Sequence, residues 1–310
     1  MDYIIFIIAM SALIYGANFI IIESERIALH FNISHFVIGA TLIAIGTSLP
    51  EMAASISASA QDKSEMAVSN VLGSVTFNIS LVLGLIFLIA KKVNPVRDLF
   101  RKDSAWSLFP FGVFIIMAYD GTISRFEGIV FLIMMGAYLL FLSSDAKNLE
   151  EEIDTSLAKK FAWPKTLILL SIGFVLVIGG ANFTIDSASA IARDLGVSEW
   201  IIGLLLIAFG TSLPELVVSV VAAKKGNADM IIGNIIGSNV ANFTVVLGSA
   251  ALVHPLRVDI SQYGFDVLCA GVATLMLVFL TANRLYDKSA GLGLLTVIAL
   301  MISHSLKEFF

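Results

Sequence analysis

Long apolar runs without charge limit what this chain can fold into. Three of them, residues 66–90, 166–185 and 230–253, carry no formal charge over 20 or more positions. Crossing the hydrocarbon core of a bilayer takes about 20 apolar residues. Only 14% of the residues are charged and the mean hydropathy is +0.93, against about 25% charged residues in soluble proteins. With the shorter apolar runs, the pattern predicts an all-α polytopic membrane protein with about ten transmembrane helices.

Several other classes of protein are disfavoured. The apolar segments are longer than the roughly 10-residue alternating strands of a membrane β-barrel. The chain opens with Asp2 and has no basic stretch before its first apolar run, so we interpret that run as a transmembrane helix and not as a cleaved signal. The single Cys269 excludes an intramolecular disulfide, and the four histidines are scattered. Because the sequence has no His-Glu-x-x-His and no Gly-x-Ser-x-Gly motif, we do not expect an enzyme.

The chain repeats itself at a spacing of 164 residues. The stretch AIGTSLPE (residues 44–51) recurs as AFGTSLPE (208–215), and GANF at 16–19 recurs at 180–183. Each copy holds about five spans, an odd number, so the second copy must enter the membrane from the opposite face. We therefore predict two inverted five-helix repeats, a construction found in secondary transporters. The predicted domains are a first transmembrane repeat (1–144), a linker (145–165) and a second repeat (166–310).

The positions of the basic residues predict the orientation of the chain. Fourteen of the 19 Lys and Arg residues fall in loops on one side of the predicted membrane and five on the other. By the positive-inside rule, both termini are extracellular and the linker is cytoplasmic, in a multi-pass protein of the cell (plasma) membrane. The acidic cluster in the linker, which includes Glu150 to Glu152 and Asp154, is interpreted as a solvated segment; a regulatory calcium-binding role is the alternative.

The repeated GTSLPE motif predicts a broken helix at the centre of the membrane. Pro50 has no N–H to donate to the carbonyl of Gly46, and its ring crowds the preceding turn. Backbone that is not helical is tolerated at membrane depth only where it is buried in protein or lines a wet cavity. The negative end of the first half-helix dipole favours a cation there. An acidic residue at mid-membrane costs roughly 2.5–3.5 kcal/mol and marks function by default, so Glu51 and Glu215 are the strongest candidates.

Around the two carboxylates, the sequence places hydroxyl and amide groups at helical spacing. Thr47 lies one turn from Glu51, and Ser74 one turn from Asn78. The offset of 164 repeats these pairs as Thr211 with Glu215 and Ser238 with Asn242. All of these groups are hard oxygen donors, which suit Ca²⁺. Soft or nitrogen donors that would indicate zinc, copper or iron are missing from the pattern. We interpret Asn70 and Asn234 as packing residues or interhelical hydrogen-bonding residues.

These motifs resemble the sodium/calcium exchangers of the cation/calcium exchanger superfamily. The signature G-T-S-x-P-E followed by G-S-x-x-x-N is present as GTSLPE with GSVTFN and again as GTSLPE with GSNVAN. The resemblance covers nearly the whole chain and is closest to a minimal prokaryotic form. It implies a ten-helix antiporter that exchanges Na⁺ for Ca²⁺ by alternating access, with the first helix of each half sliding against the rest. It also implies electrogenic transport of three Na⁺ per Ca²⁺.

The resemblance also implies the residues of the ion site. The Ca²⁺ ligands fall on Glu51, Glu215, Thr47 and Thr211. The Na⁺ ligands and the groups at the middle of the cluster fall on Ser48, Ser212, Ser74, Ser238, the carbonyls of Ala44 and Ala208, Asn78 and Asn242. Some members of the superfamily, including the potassium-dependent branch, carry Asp where this chain has Asn242. That difference disfavours K⁺ co-transport and leaves two formal negative charges in the cluster.

Two other functions remain open at this point. A H⁺/Ca²⁺ exchanger on the same scaffold would use the same two glutamates, although the hydroxyls and asparagines favour Na⁺. A passive cation channel would also place acidic residues along its pore, but two inverted copies that converge on a midplane site favour a carrier. We expect Na⁺ and Ca²⁺ as substrates and the lipid bilayer as the surroundings. We expect no cofactor, no nucleic acid and no obligate protein partner, with the chain acting as a monomer.

Overall fold

The structure, a computed structural model, describes residues 2–90, 93–145, 162–196 and 210–307, without the side chains of residues 101, 102, 145, 261, 262, 306 and 307. The described part is built almost entirely of helices. The longer ones are α1 (Asp2–Phe31), α2 (His35–Thr47), α3 (Leu49–Ala60), α4 (Ser64–Ile89), α5 (Ser104–Met117), α6 (Arg125–Asp145), α7 (Trp163–Asp194), α8 (Leu213–Lys224), α9 (Ala228–Val253), α10 (Ile260–Asn283) and α11 (Lys288–Lys307). A four-residue helix, Leu99–Lys102, precedes α5, and a 3₁₀ turn, Ala118–Asp120, follows it.

Most of the predicted spanning segments are present in the described residues. Seven helices, α1, α4, α6, α7, α9, α10 and α11, are long and apolar enough to cross a membrane, and α2 with α3 forms an eighth span that bends by 44°. A shorter apolar helix comprises α5 and the 3₁₀ turn that follows it, Ser104–Asp120. The predicted class, an all-helical polytopic membrane protein, is confirmed.

Helix bounds follow the repeat of the sequence. An offset of 164 carries α3 (Leu49–Ala60) onto α8 (Leu213–Lys224), and α4 (Ser64–Ile89) onto α9 (Ala228–Val253), with no residue of difference at either end. The predicted linker is described only at its two ends, because residues 146–161 lie outside the described part.

Contacts between distant loops show which loops share a membrane face. The N–H groups of Val96 and Arg97 donate to the Asp229 carboxylate at 2.9 and 3.0 Å. A two-residue strand β1 (Thr122–Ile123) pairs antiparallel with β2 (Leu256–Arg257). In each case four of the labelled helices separate the partners along the chain, α5–α8 for the first contact and α6–α9 for the second. An even number of crossings between such partners is what two inverted five-helix units would provide.

Glycines allow the closest contacts between the two halves. A methyl group on Gly16 of α1 would lie 2.8 Å from the Gly173 carbonyl of α7, and one on Gly180 would lie 2.9 Å from the Ala9 carbonyl. Small residues let membrane helices approach backbone to backbone. The central helix α9 is almost entirely buried, and a methyl group on its Gly237 would lie 2.4 Å from the Ala40 carbonyl of α2. These contacts bring α2 and α9 together beside the centre of the molecule.

Candidate cation site

In both copies of the repeated motif, the serine before the second half-helix has nearly the same backbone conformation. α2 ends at Thr47, Ser48 adopts φ −83° and ψ 5°, and α3 begins at Leu49 with Pro50 in its first turn. In the second copy Ser212 adopts φ −90° and ψ 4° before α8. The Ala44 carbonyl accepts hydrogen bonds from the Ser48 N–H at 3.0 Å and the Thr47 hydroxyl at 3.3 Å. Proline fits the first turn of a helix, where its missing N–H would have no partner, so the break follows from the sequence.

The two carboxylates lie at the start of the second half-helices. Glu51 and Glu215 are in the first turns of α3 and α8, and neither is exposed to solvent. A helix N-terminus carries partial positive charge and stabilises an anion. The two carboxylates are near enough to repel each other. Both Glu51 oxygens and Glu215 Oε2 have no hydrogen-bond partner in the described part of the chain. Unpaired buried charge is costly, and either a bound cation or a proton would remove that cost.

Hydroxyl groups of one half lie against the carboxylate of the other half. Ser48 Oγ donates to Glu215 Oε1 at 3.4 Å, and the Thr47 hydroxyl is also beside Glu215. The Thr211 hydroxyl is beside Glu51, without the geometry of a hydrogen bond to either carboxylate oxygen. The two motifs therefore meet crosswise, and the centre of the site lies on the boundary between the halves.

Wide helical turns carry the two central asparagines. A π-helical stretch, Phe77–Leu83, contains Asn78 in α4, and another, Asn242–Val246, begins at Asn242 in α9. Such single wide turns inside α-helices are frequent at functional sites. Asn78 Oδ1, Ser238 Oγ, Ser212 Oγ and both amide atoms of Asn242 are buried without a hydrogen-bond partner among the described residues. Most of these atoms are oxygens that a cation could use.

Eleven of the twelve predicted site residues are described, and Ala208 lies outside the described residues. Hydrogen bonds or electrostatic contacts bring together Thr47, Ser48, Glu51, Thr211 and Glu215. The other buried members are Ser74 on α4, Ser212 directly before α8, and Ser238 and Asn242 on α9. In the described part of the chain, no group of three or more His, Cys, Asp and Glu side chains is arranged to hold a metal ion. The site is thus two carboxylates surrounded by neutral oxygens.

Supporting hydrogen bonds hold the helix after each break to its neighbour. The Asn70 amide donates to Ser55 Oγ at 2.8 Å and to the Glu51 carbonyl at 3.2 Å. In the second half, Asn234 donates to Ser219 Oγ at 3.3 Å. The prediction that Asn70 and Asn234 form interhelical hydrogen bonds is confirmed. The sequence analysis did not single out Ser55 and Ser219, although the offset of 164 relates them too.

Asn239 is a third residue that the sequence motifs do not mark. Its side chain is buried, and its Oδ1 accepts from the Asn78 amide at 3.4 Å across the two halves. A search for matching positions could not find it, because the equivalent position in the first half is Val75. Only the mismatch itself, an amide against an aliphatic side chain, marks the position.

Comparison with known proteins identifies the family. The family model described as sodium/calcium exchanger protein matches residues 1–144 and 165–306. A membrane protein of Methanocaldococcus jannaschii is 38% identical over 85% of both chains. The sodium/calcium exchanger MaX1 of Methanosarcina acetivorans is 28% identical over 91% of this chain and 92% of its own.

The fold matches a solved exchanger over nearly its whole length. The structure of the sodium-calcium exchanger NCX_Mj soaked with zero Na⁺ and Ca²⁺ superposes with a TM-score of 0.83, at 33% identity and 98% coverage of both chains. The same protein soaked with 10 mM Na⁺ and 10 mM Sr²⁺ gives a TM-score of 0.82. By its sequence motifs, its fold and these matches, the chain belongs to the sodium/calcium exchanger family and is an antiporter of Na⁺ and Ca²⁺.

Proposed function

We propose that Na⁺ and Ca²⁺ bind in turn to one cluster of oxygens centred on Glu51 and Glu215. The observation that carries the proposal is a pair of fully buried carboxylates, three of whose oxygens have no hydrogen-bond partner among the described residues. A Ca²⁺ ion neutralises two carboxylates and takes 6 to 8 oxygen ligands. Thr47 and Thr211 complete its surroundings from the two halves.

Neutral oxygens hold the Na⁺ ions in this proposal. The proposed Na⁺ ligands are hydroxyl, carbonyl and amide oxygens, and they belong to Ser48, Ser74, Ser212, Ser238, Ala44, Ala208, Asn78 and Asn242. Three Na⁺ ions exchange for one Ca²⁺, following the family resemblance. Because the two glutamates supply a charge of −2, Ca²⁺ leaves the loaded site neutral and three Na⁺ leave it at +1. Exchange is therefore electrogenic.

Membrane potential tests the stoichiometry. Proteoliposomes are clamped with K⁺ and valinomycin, and Na⁺-driven Ca²⁺ flux is measured against the imposed potential. We expect Na⁺ entry with Ca²⁺ exit to accelerate at inside-negative potential, with a bias of at most about 2.3 kcal/mol per 100 mV. Ca²⁺ exchange for Ca²⁺ in the same vesicles is the matched control, because it moves no net charge. A flux indifferent to the sign and size of the potential would indicate two Na⁺ per Ca²⁺.

The coupling ion is tested in the same vesicles. Ca²⁺ uptake is compared under an outward Na⁺ gradient and an outward H⁺ gradient, each with the other ion equilibrated. We expect uptake with the Na⁺ gradient only. Uptake driven by the H⁺ gradient alone would indicate H⁺/Ca²⁺ exchange at the same two glutamates, and Ca²⁺ currents without a counter-ion would indicate a passive channel.

The proposal places the protein in the plasma membrane with both termini outside and the linker in the cytoplasm. It acts as a monomeric carrier without catalytic activity, cofactor, nucleic acid or obligate protein partner. Orientation can be tested with cysteines at Asp62 and Asn148 after replacement of Cys269. Asp62 lies in the turn after α3 with an exposed side chain. An impermeant thiol reagent is expected to label position 62 from outside and position 148 from inside; labelling of both from one side would contradict the proposed arrangement.

A further inference from the structure

One buried polar residue at the centre of the molecule breaks the repeat. The segment GSNVAN in α9 corresponds to GSVTFN in α4, so Asn239 stands where the first half has Val75. Both side chains are buried, with 2% of Asn239 and none of Val75 exposed. Asn239 Nδ2 has no hydrogen-bond partner in the described part of the chain. A buried amide that is only partly satisfied costs stability that valine in the same place would not cost.

The one hydrogen bond described for the Asn239 side chain is to Asn78. Asn78 Nδ2 donates to Asn239 Oδ1 at 3.4 Å, and Asn78 Oδ1 has no hydrogen-bond partner among the described residues. An asparagine amide has an acceptor oxygen and two N–H donors, and which of them faces a neighbour depends on its hydrogen bonds. A cation binds only the oxygen. Therefore the acceptor on Asn239 holds the N–H side of Asn78 and leaves its oxygen for the ions.

The equivalent asparagine of the second half lacks such a partner. Asn242 corresponds to Asn78, but the position that corresponds to Asn239 is the aliphatic Val75. Neither amide atom of Asn242 makes a hydrogen bond to a described residue. Among the described residues, one central amide is thus oriented by a neighbour, whereas the other makes no side-chain hydrogen bond.

We propose that Asn239 is a positioning residue that sets the Na⁺ affinity of the exchanger by orienting the Asn78 amide. The inference rests on the proposed site and deepens it. Two carboxylates neutralise Ca²⁺, whereas the third Na⁺ has no carboxylate of its own and depends on neutral dipoles. Losing the orientation of one such dipole therefore weakens Na⁺ binding more than Ca²⁺ binding.

Two isosteric substitutions separate the acceptor from the shape of the side chain. Asn239→Leu removes the acceptor, and Asn239→Asp keeps it. In proteoliposomes, we expect Asn239→Leu to raise the half-saturating Na⁺ concentration by about 3- to 10-fold, the range for loss of one hydrogen bond. The half-saturating Ca²⁺ concentration in Ca²⁺/Ca²⁺ exchange is expected to change less than about 2-fold. Asn239→Asp is expected to need no more Na⁺ than the unsubstituted protein.

A double substitution tests whether the effect passes through Asn78. Asn78→Ala alone is expected to raise the half-saturating Na⁺ concentration, and adding Asn239→Leu is expected to raise it no further. Equal shifts for Na⁺ and Ca²⁺, or an additive double variant, would overturn the proposal. If Asn239→Leu does not fold, Asn239→Val supplies the residue already accommodated at position 75, and a raised Na⁺ requirement in Asn239→Asp would also overturn it. Unchanged Na⁺ dependence in Asn78→Ala would instead refute the site on which the inference rests.

Discussion

The same glycine of the repeat has a close described neighbour in one half only. A methyl group on Gly237 of α9 would lie 2.4 Å from the Ala40 carbonyl of α2, whereas one on Gly73 of α4 would meet no described atom within 4 Å. The residue equivalent to Ala40 is Leu204, which lies outside the described residues. The two halves share their helix bounds, but beside the proposed site they carry different residues, as Val75 and Asn239 show.

The largest loss of transport is expected at the two glutamates, where the two halves are most alike. Glu51→Gln and Glu215→Gln each remove one charge from a fully buried pair. Breaking a buried charge arrangement costs about 3–5 kcal/mol, so Na⁺-driven ⁴⁵Ca²⁺ flux is expected to fall by about 100-fold or more in either variant. Glu127→Gln, at the start of α6, is the matched control and is expected to keep near-normal flux. Substantial flux in one glutamine variant but not in the other would mean that the two carboxylates are not equivalent.

The glycine pair tests the difference between the halves directly. Gly237→Ala forces a methyl group against the Ala40 carbonyl, and overpacking of this kind costs about 1–3 kcal/mol. Gly73→Ala is expected to leave stability unchanged or to raise it slightly, because alanine favours helix more than glycine does. Thermal unfolding in detergent measures both variants. A similar loss of stability in both would show that α4 packs as tightly as α9.

The smallest loss of stability is expected on replacing the asparagines that hydrogen-bond to the helix after each break. Asn70→Ala removes two hydrogen bonds and Asn234→Ala removes one. At about 0.5–1.5 kcal/mol for each bond, unfolding in detergent is expected to show the larger loss for Asn70→Ala. The order would be reversed if Asn234 had additional partners among residues 197–209.

Features that the two copies share could be read from the sequence. The charge-free runs predicted the spans, and the offset of 164 predicted helices whose bounds coincide in both halves. Pro50 marked the break in the first copy, and the buried Glu51 and Glu215 followed from their position at mid-membrane. In these cases a local rule, such as the missing proline N–H, acts in the same way in each copy.

Features that depend on contacts across the halves could not be read in this way. The π-helical stretches at Phe77–Leu83 and Asn242–Val246 are not marked by proline or by a run of glycines. Asn239 was missed because a comparison of the copies selects matches, whereas this residue is a mismatch whose partner is on α4. Which carbonyl a glycine contacts, such as Ala40 for Gly237, depends on how the two halves dock.

The coincident bounds of α4 and α9 have a genetic consequence. Two identical five-helix chains could form the same inverted pair. Every substitution would then occur in both subunits, and the pair would require the chain to insert equally often in the two orientations. Joining the copies in one gene guarantees one copy in each orientation. It also lets each position change alone. A pair of identical chains could not carry valine in one copy and asparagine in the other, as this chain does at 75 and 239, so the fused gene gives one ion site two unlike sides.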